Sequence, residues 1–298
     1  MRQKEEKMRK RMAVLGITGI LAAGLLAGCS SGSEESVSGS SQSASGTADS
    51  SQEVQDSSSA SGEEGAAESG EQEIMVSAAA SLTDVLNELA EKYKEQDPGM
   101  EIAFTFGGSG ALQTQIEEGA PVDLFFSAAE ENMDALEEEG LIDTETRKDV
   151  LKNEIVLIAP LGDPEVSSFE NILDSDPQIA LGEPESVPAG KYAQEIFENL
   201  GIWEGVQSHT VFASNVREVL SWVEAGEADC GVVYATDAMT SDQVQVVCNA
   251  PEGGPEVLYP AAVLKDCANP EGAKEFLDYL TGDEAMKAFE AYGFTVLE

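Results

Sequence analysis

Four short stretches of this chain could hold an anion. Each joins the end of an apolar run to the start of an amphipathic helical pattern. They are Ala78-Ala79-Ala80-Ser81-Leu82-Thr83-Asp84, Gly107-Gly108-Ser109-Gly110, Val187-Pro188-Ala189-Gly190 and Ser214-Asn215-Val216-Arg217. A helix start exposes backbone N–H groups without intrahelical partners and carries the positive end of the helix dipole. Small residues let an oxyanion approach that backbone closely, which is how helix N-termini bind anions. A serine before a helix is ordinarily an N-cap, and Ser81 with Asp84 has the spacing of a capping pair. One such junction therefore says little, whereas four in a single chain point to a site.

The elements that must position these junctions alternate. Strands are expected at Ile74–Ser77, Ile102–Phe106, Asp123–Ser127, Glu154–Ala159, Ile179–Leu181, Val211–Phe212, Cys230–Tyr234, Val244–Val247 and Val257–Val263. Helices are expected at Ser81–Tyr93, Gly110–Glu118, Met133–Glu139, Lys191–Leu200, Val216–Ala225, Glu271–Leu280 and Glu284–Ala291. The first helix places Leu82, Val85, Leu86 and Leu89 on one face. Gly140, Gly201 and Gly226 read as helix stops. Strands separated by helices of about ten residues imply an α/β protein with parallel sheets and helices on both faces. Ligands on such sheets sit beyond the carboxyl ends of the strands, and two sheets sharing one ligand would form a cleft.

The N-terminal part has a different character. Arg2, Lys4, Lys7, Arg9, Lys10 and Arg11 precede an apolar run from Met12 to Ala27. That run is shorter than the roughly 20 residues a membrane-spanning helix needs. Residues 1–28 therefore read as an export signal. The break Leu26-Ala27-Gly28-Cys29 resembles the lipobox of bacterial lipoproteins, which implies lipid on Cys29 and an extracytoplasmic protein anchored to the cell membrane. Residues 29–72 follow as a tether. Sixteen of the residues from Ser30 to Gln72 are serine, and Val37 and Val54 are the only large apolar ones. Such a segment buries too little surface to offset its ordering entropy and is expected to be disordered.

Charge excludes some partners. After the signal, ten basic residues face 55 acidic ones, a formal −45. That argues against nucleic acid and against an anionic membrane surface as partners. Cys230, Cys248 and Cys267 remain besides Cys29, an odd number that leaves one disulfide open. No CxxC motif or EF-hand spacing occurs, and no GxSxG elbow stands at a strand-to-helix turn after residue 72. The one histidine, His209, stands alone in a loop, so an exported hydrolase is the distant alternative and no enzyme is expected.

Several segments carry a family resemblance. AAASLTDVLNELAEKY from Ala78, QIEEGAPVDLFFSAA from Gln115, GEPESVPAGKYAQE from Gly182, NVREVLSWVEAGEADCGVVYATDA from Asn215 and YGFTVL from Tyr292 resemble the molybdate-binding proteins that serve ABC transporters. The resemblance implies a periplasmic-binding-protein type II fold, two α/β lobes with a ligand cleft between them. Lobe 1 would be residues 73–153 plus 258–298 and lobe 2 residues 154–257, with Glu154–Ala159 and Val257–Val263 crossing the hinge.

By the same resemblance the ligand is molybdate or tungstate, with no cofactor and no directly bound metal cation. Its contacts would be Ser81, Ser109, backbone at Ala189 and Val216, and the Tyr234 hydroxyl. GGSG at the second junction departs from relatives that often carry a run of serines there. The partners implied are a membrane permease and its cytoplasmic ATPase, with the chain itself a monomer. Donors without acceptors favour a fully deprotonated oxyanion, which ranks molybdate, tungstate and sulfate above phosphate. The nearest alternative is another oxyanion such as sulfate or thiosulfate. Arg217 is expected in a surface ion pair.

Overall fold

A computed structural model describes residues 72–297 of the chain. The signal, Cys29 and nearly all of the tether lie outside the described residues. In chain order the elements begin β1 (Gln72–Ala79), a 3-10 turn (Ala80–Leu82), α1 (Thr83–Gln96), β2 (Met100–Gly107), α2 (Ser109–Glu117), β3 (Leu124–Phe126), α3 (Glu130–Glu138) and β4 (Lys148–Asn153). They continue β5 (Ile155–Pro160), β6 (Ile179–Gly182), α4 (Pro188–Asn199), α5 (Trp203–Gln207), β7 (Thr210–Ala213), α6 (Val216–Glu224), β8 (Cys230–Tyr234), α7 (Ala235–Met239) and β9 (Val244–Asn249). The last are β10 (Val257–Val263), α8 (Pro270–Leu280), α9 (Asp283–Ala291) and β11 (Thr295–Val296).

Two sheets result. The first has the order β11-β4-β10-β3-β1-β2 and the second β7-β6-β8-β5-β9. The chain passes from the first sheet to the second at Asn153–Ile155 and returns between β9 and β10. These crossings correct the expectation of parallel sheets, because both are mixed. β1 runs parallel to β2 and β3, but β10 enters antiparallel between β3 and β4. Likewise β6 is parallel to β7 and β8, while β5 is antiparallel to β8 and β9. Helical crossovers fix the parallel pairs within each sheet. The strands that change sheets arrive in the opposite direction.

The helices form where their apolar stripes meet a sheet. On α1 the stripe Val85, Leu86, Leu89 and Tyr93 is buried. Burial of each such aliphatic side chain contributes about 1.5–3 kcal/mol. Pro98 and Gly99 follow Asp97 and prevent its continuation. Gly201 and Gly226 stop α4 and α6 in the left-handed conformation, at φ 72° and 69°, where a Cβ would be strained. Pro188 opens α4 at its first position, where no amide hydrogen bond is lost. Among the described residues no disulfide forms, and Cys230, Cys248 and Cys267 are free thiols. Burial pushes the Cys230 thiol up to about 12, so it is an inert core residue.

Candidate functional site

The four junctions meet where the two sheets face each other. The 3-10 turn after β1 carries Ser81, which is buried. Ser81 is not the cap its spacing predicts. No side chain caps the turn or α1, and Asp84 is ion-paired with Arg217 Nη1 at 2.7 Å. The Ser81 hydroxyl instead meets the Tyr259 hydroxyl at 2.9 Å. Ser109 is the first residue of α2 and fully buried. Its Oγ accepts the Ala128 N–H at 3.0 Å, which leaves its own proton free to donate.

The second sheet supplies the opposite wall. Val216 opens α6, where Asn215 caps the helix by accepting Glu218 N–H at 3.1 Å. Glu218 in return accepts from Ser214 N and Oγ at 2.7 and 2.8 Å. Tyr234 ends β8, and its hydroxyl is buried without a hydrogen-bond partner among the described residues. Burial holds its pKa well above the usual phenol range, so it stays a donor. A small cavity lies among Ser81, Ser109, Val187, Pro188, Val216 and Tyr234, with Gly108 and Ala128 beside them. Its volume is about 10 Å³, on the order of what one water centre needs. No charged residue lines it.

Of the expected residues, Ser81, Ser109, Val216 and Tyr234 line this cavity. Ala189 does not. It is buried one residue further along α4, behind Val187 and Pro188, which do line it. The glycines flanking Ser109 are explained by space. A Cβ on Gly108 would stand 2.6 Å from the Ser186 carbonyl oxygen and 3.0 Å from that of Ser214. One on Gly110 would stand 2.9 Å from Ser186 Cα. Gly110 N–H also donates to Ser186 O at 3.0 Å. GGSG is thus where the second sheet's loops press against α2, and a run of serines would not fit.

Arg217 is a correction. Rather than a surface pair, it joins Asp84 to the fully buried Asp237, with Nε 2.7 Å from Asp237 Oδ1. The Nε–H is not aimed at that oxygen, so the contact is an ion pair without a well-formed hydrogen bond. Burial raises the Asp237 carboxyl to about 6, while Arg217 and the Tyr234 N–H pull it down. A larger open cleft of about 770 Å³ begins at Arg217 and Asp84, and its mixed charges and exposure to water suit it poorly to a bare anion.

The hydrolase alternative would have to use His209, the one histidine of the chain. His209 Nδ1 lies 2.8 Å from the Gly205 carbonyl and Nε2 2.8 Å from Asp176 Oδ1, so both ring nitrogens face acceptors. The Ser208 hydroxyl donates to that same carbonyl at 2.7 Å, so His209 cannot serve it as base. Among the described residues, no group of His, Cys, Asp or Glu could hold a metal ion. Sequence reasoning missed Tyr259 and Asn153, which stand behind Ser81. Their partners are remote in the chain, and no local motif marks them.

Two mixed sheets, crossed twice by the chain and enclosing a small uncharged cavity between helix starts, define the type II periplasmic-binding fold. The profile of the bacterial extracellular solute-binding proteins matches residues 74–295, and the chain belongs to that family. It is 46% identical over 224 residues to YvgL of Bacillus subtilis (strain 168), provisionally named an ABC transporter substrate-binding lipoprotein. That match covers 74% of this chain and 86% of the relative. The molybdate-binding protein ModA of Haemophilus influenzae is 39% identical over 229 residues, 74% of this chain and 89% of its own. Among solved structures, the substrate-binding domain of a provisionally assigned molybdenum ABC transporter from Clostridium difficile matches with TM-score 0.58 and 41% identity. The match covers 76% of this chain and 99% of that one.

Proposed function

We propose that this protein captures molybdate or tungstate outside the cytoplasmic membrane and delivers it to an ABC importer. The observation that carries the reading is the convergence of Ser81, Ser109, Val216 and Tyr234 on one small cavity with no charged lining. The hydroxyls of Ser81, Ser109 and Tyr234 donate to the oxyanion, and the α6 start at Val216 adds a backbone N–H group. Residues 73–153 plus 258–298 and residues 154–257 act as two lobes that close over it, so the ligand favours the closed state. Similarity to relatives named for molybdate binding supports this choice of anion.

The protein binds and does not catalyse. A permease and its ATPase are the partners. Cys29 carries the lipid that holds the chain at the membrane, a reading supported by its lipobox-like setting and by a relative named as a lipoprotein.

Thermal melts of the purified protein with molybdate, tungstate, sulfate or phosphate test the proposal. A ligand at a thousand times its dissociation constant adds about 4 kcal/mol of stability. Molybdate and tungstate are expected to raise Tm while phosphate does not. A response to sulfate alone would make the anion wrong, and no response to any would remove the binding assignment.

A further inference from the structure

Ser81 has a partner to which nothing in its own segment points. Tyr259, fully buried on β10, meets the Ser81 hydroxyl at 2.9 Å and Asn153 Nδ2 at 3.2 Å. The direction of the protons can be worked out. The Glu154 N–H donates to Asn153 Oδ1 at 2.9 Å, and a flipped amide would set donor against donor there. The Asn153 NH2 therefore faces Thr236 Oγ1, at 2.8 Å, and Tyr259. It can only give protons to them. The proton of Tyr259 then needs an acceptor. Its one other partner with hydrogen-bond geometry among the described residues is Ser81 Oγ, while the Tyr234 hydroxyl stands near Tyr259 but outside that geometry. A buried hydroxyl proton left without an acceptor is costly. Tyr259 thus donates to Ser81, and the proton of Ser81 turns to the cavity that Ser81 lines.

We infer that Asn153 and Tyr259 form a proton-ordering relay that holds Ser81 as a donor toward the oxyanion and so disfavours protonated oxyanions. The inference rests on the oxyanion reading of this cavity. Neither residue lines the cavity, and both act through Ser81, as positioning residues. Hydrogen bonds aligned in one direction also polarise one another, which strengthens the last donor in the row.

Reversing the relay tests it. In Asn153→Asp the carboxylate can only accept, so the Tyr259 proton turns toward it. Ser81 must then donate to Tyr259 and present lone pairs to the anion. Calorimetric affinity for sodium molybdate is expected to fall about ten- to a hundredfold, the worth of a hydrogen bond to a charged group. The added charge alone would also weaken binding, so Tyr259→Phe is placed on the Asn153→Asp background. The relay predicts that this second change restores about tenfold, because Ser81 again has only the cavity for its proton. A double variant no tighter than Asn153→Asp overturns the inference.

If melts without ligand show that Asn153→Asp does not fold, Tyr259→Phe alone is compared for molybdate and hydrogen phosphate. The freed Ser81 lone pair should accept from hydrogen phosphate and narrow the ratio of the two affinities, and an unchanged ratio overturns the relay. Wild-type protein that binds neither molybdate nor tungstate would instead overturn the site reading on which the relay depends.

Discussion

Replacing Arg217 by methionine keeps a long side chain but leaves the Asp237 carboxylate buried and unpaired. Asp237 is fully buried, and Arg217 is its one cationic partner among the described residues. Breaking a buried pair by removing one member costs about 3–5 kcal/mol. In a domain of this size each kcal/mol moves Tm by about 2–4 °C, so a fall of about 6–20 °C is expected at pH 8. The pH dependence has a definite sign. The folded carboxyl, at about 6, stands above its free value of 3.8, so the folded protein keeps a proton that the unfolded chain has released. Its contribution to wild-type stability is therefore present below about pH 4 and lost as pH rises to about 6.

Without Arg217 the pKa rises further, and the loss continues to higher pH. At pH 5 the carboxyl is protonated in both folded proteins. Only the half-exposed contact with Asp84 is then missing, worth about 1 kcal/mol or less. Differential scanning calorimetry at pH 5 and pH 8 measures both losses, and groups that titrate equally in the two proteins cancel. An equal fall in Tm at the two pH values would refute the argument that a buried carboxylate is what Arg217 sustains.

Gly108→Ala places a Cβ where the Ser186 and Ser214 carbonyls now lie, so molybdate affinity by calorimetry should fall more than about tenfold, a penalty above roughly 1.4 kcal/mol. Unchanged affinity would mean that this close approach is not needed for binding. Tyr234→Phe removes a buried hydroxyl without a hydrogen-bond partner among the described residues, so the ligand-free Tm should hold or rise, by up to about 3 kcal/mol of stability, while molybdate binding weakens. Effects of the same sign on both would show that the hydroxyl serves packing and not the anion.

Much of the fold was readable because one signal dominated locally. Cys230–Tyr234 and Val257–Val263 are buried apolar runs, and both strands have the bounds the sequence suggests. The stripe of α1 is equally plain. β4 was not readable. Its sequence, KDVLKN, has only Val150 and Leu151 to bury, and pairing with β10 and β11 makes it a strand. The mixed character of both sheets was hidden for the same reason, since periodicity carries no information about which sheet a strand joins.

At the site, small residues before helices are visible in any local window, but their partners are not. Ser81 followed by Asp84 has the form of a cap, yet Tyr259, 178 residues away, takes the hydroxyl and Arg217 takes the carboxylate. Tertiary contacts overrode a local rule worth only about 1 kcal/mol.

These contacts also bear on how a chain with a formal charge of −45 could hold a dianion. Surface carboxylates more than about 8–10 Å away are screened at physiological salt, so only the nearest acids matter. Asp84 and Asp237 stand beside the Ser81 turn, and Arg217 pairs with both while its Nη2 reaches the Ser81 carbonyl at 3.4 Å. One guanidinium thus stands between two acids and the site without lining the cavity. Within the cavity, five to seven hydrogen bonds to a dianion at roughly 1.5–3 kcal/mol each give a gross gain of about 8–20 kcal/mol. Association costs of at least about 4 kcal/mol come off that, which still reaches the micromolar range. The donors are uncharged and fixed by packing, so little is spent on arranging them. The acidic surface then acts on the rate at which an anion arrives, and the oriented hydroxyls and helix starts act on how tightly it is held.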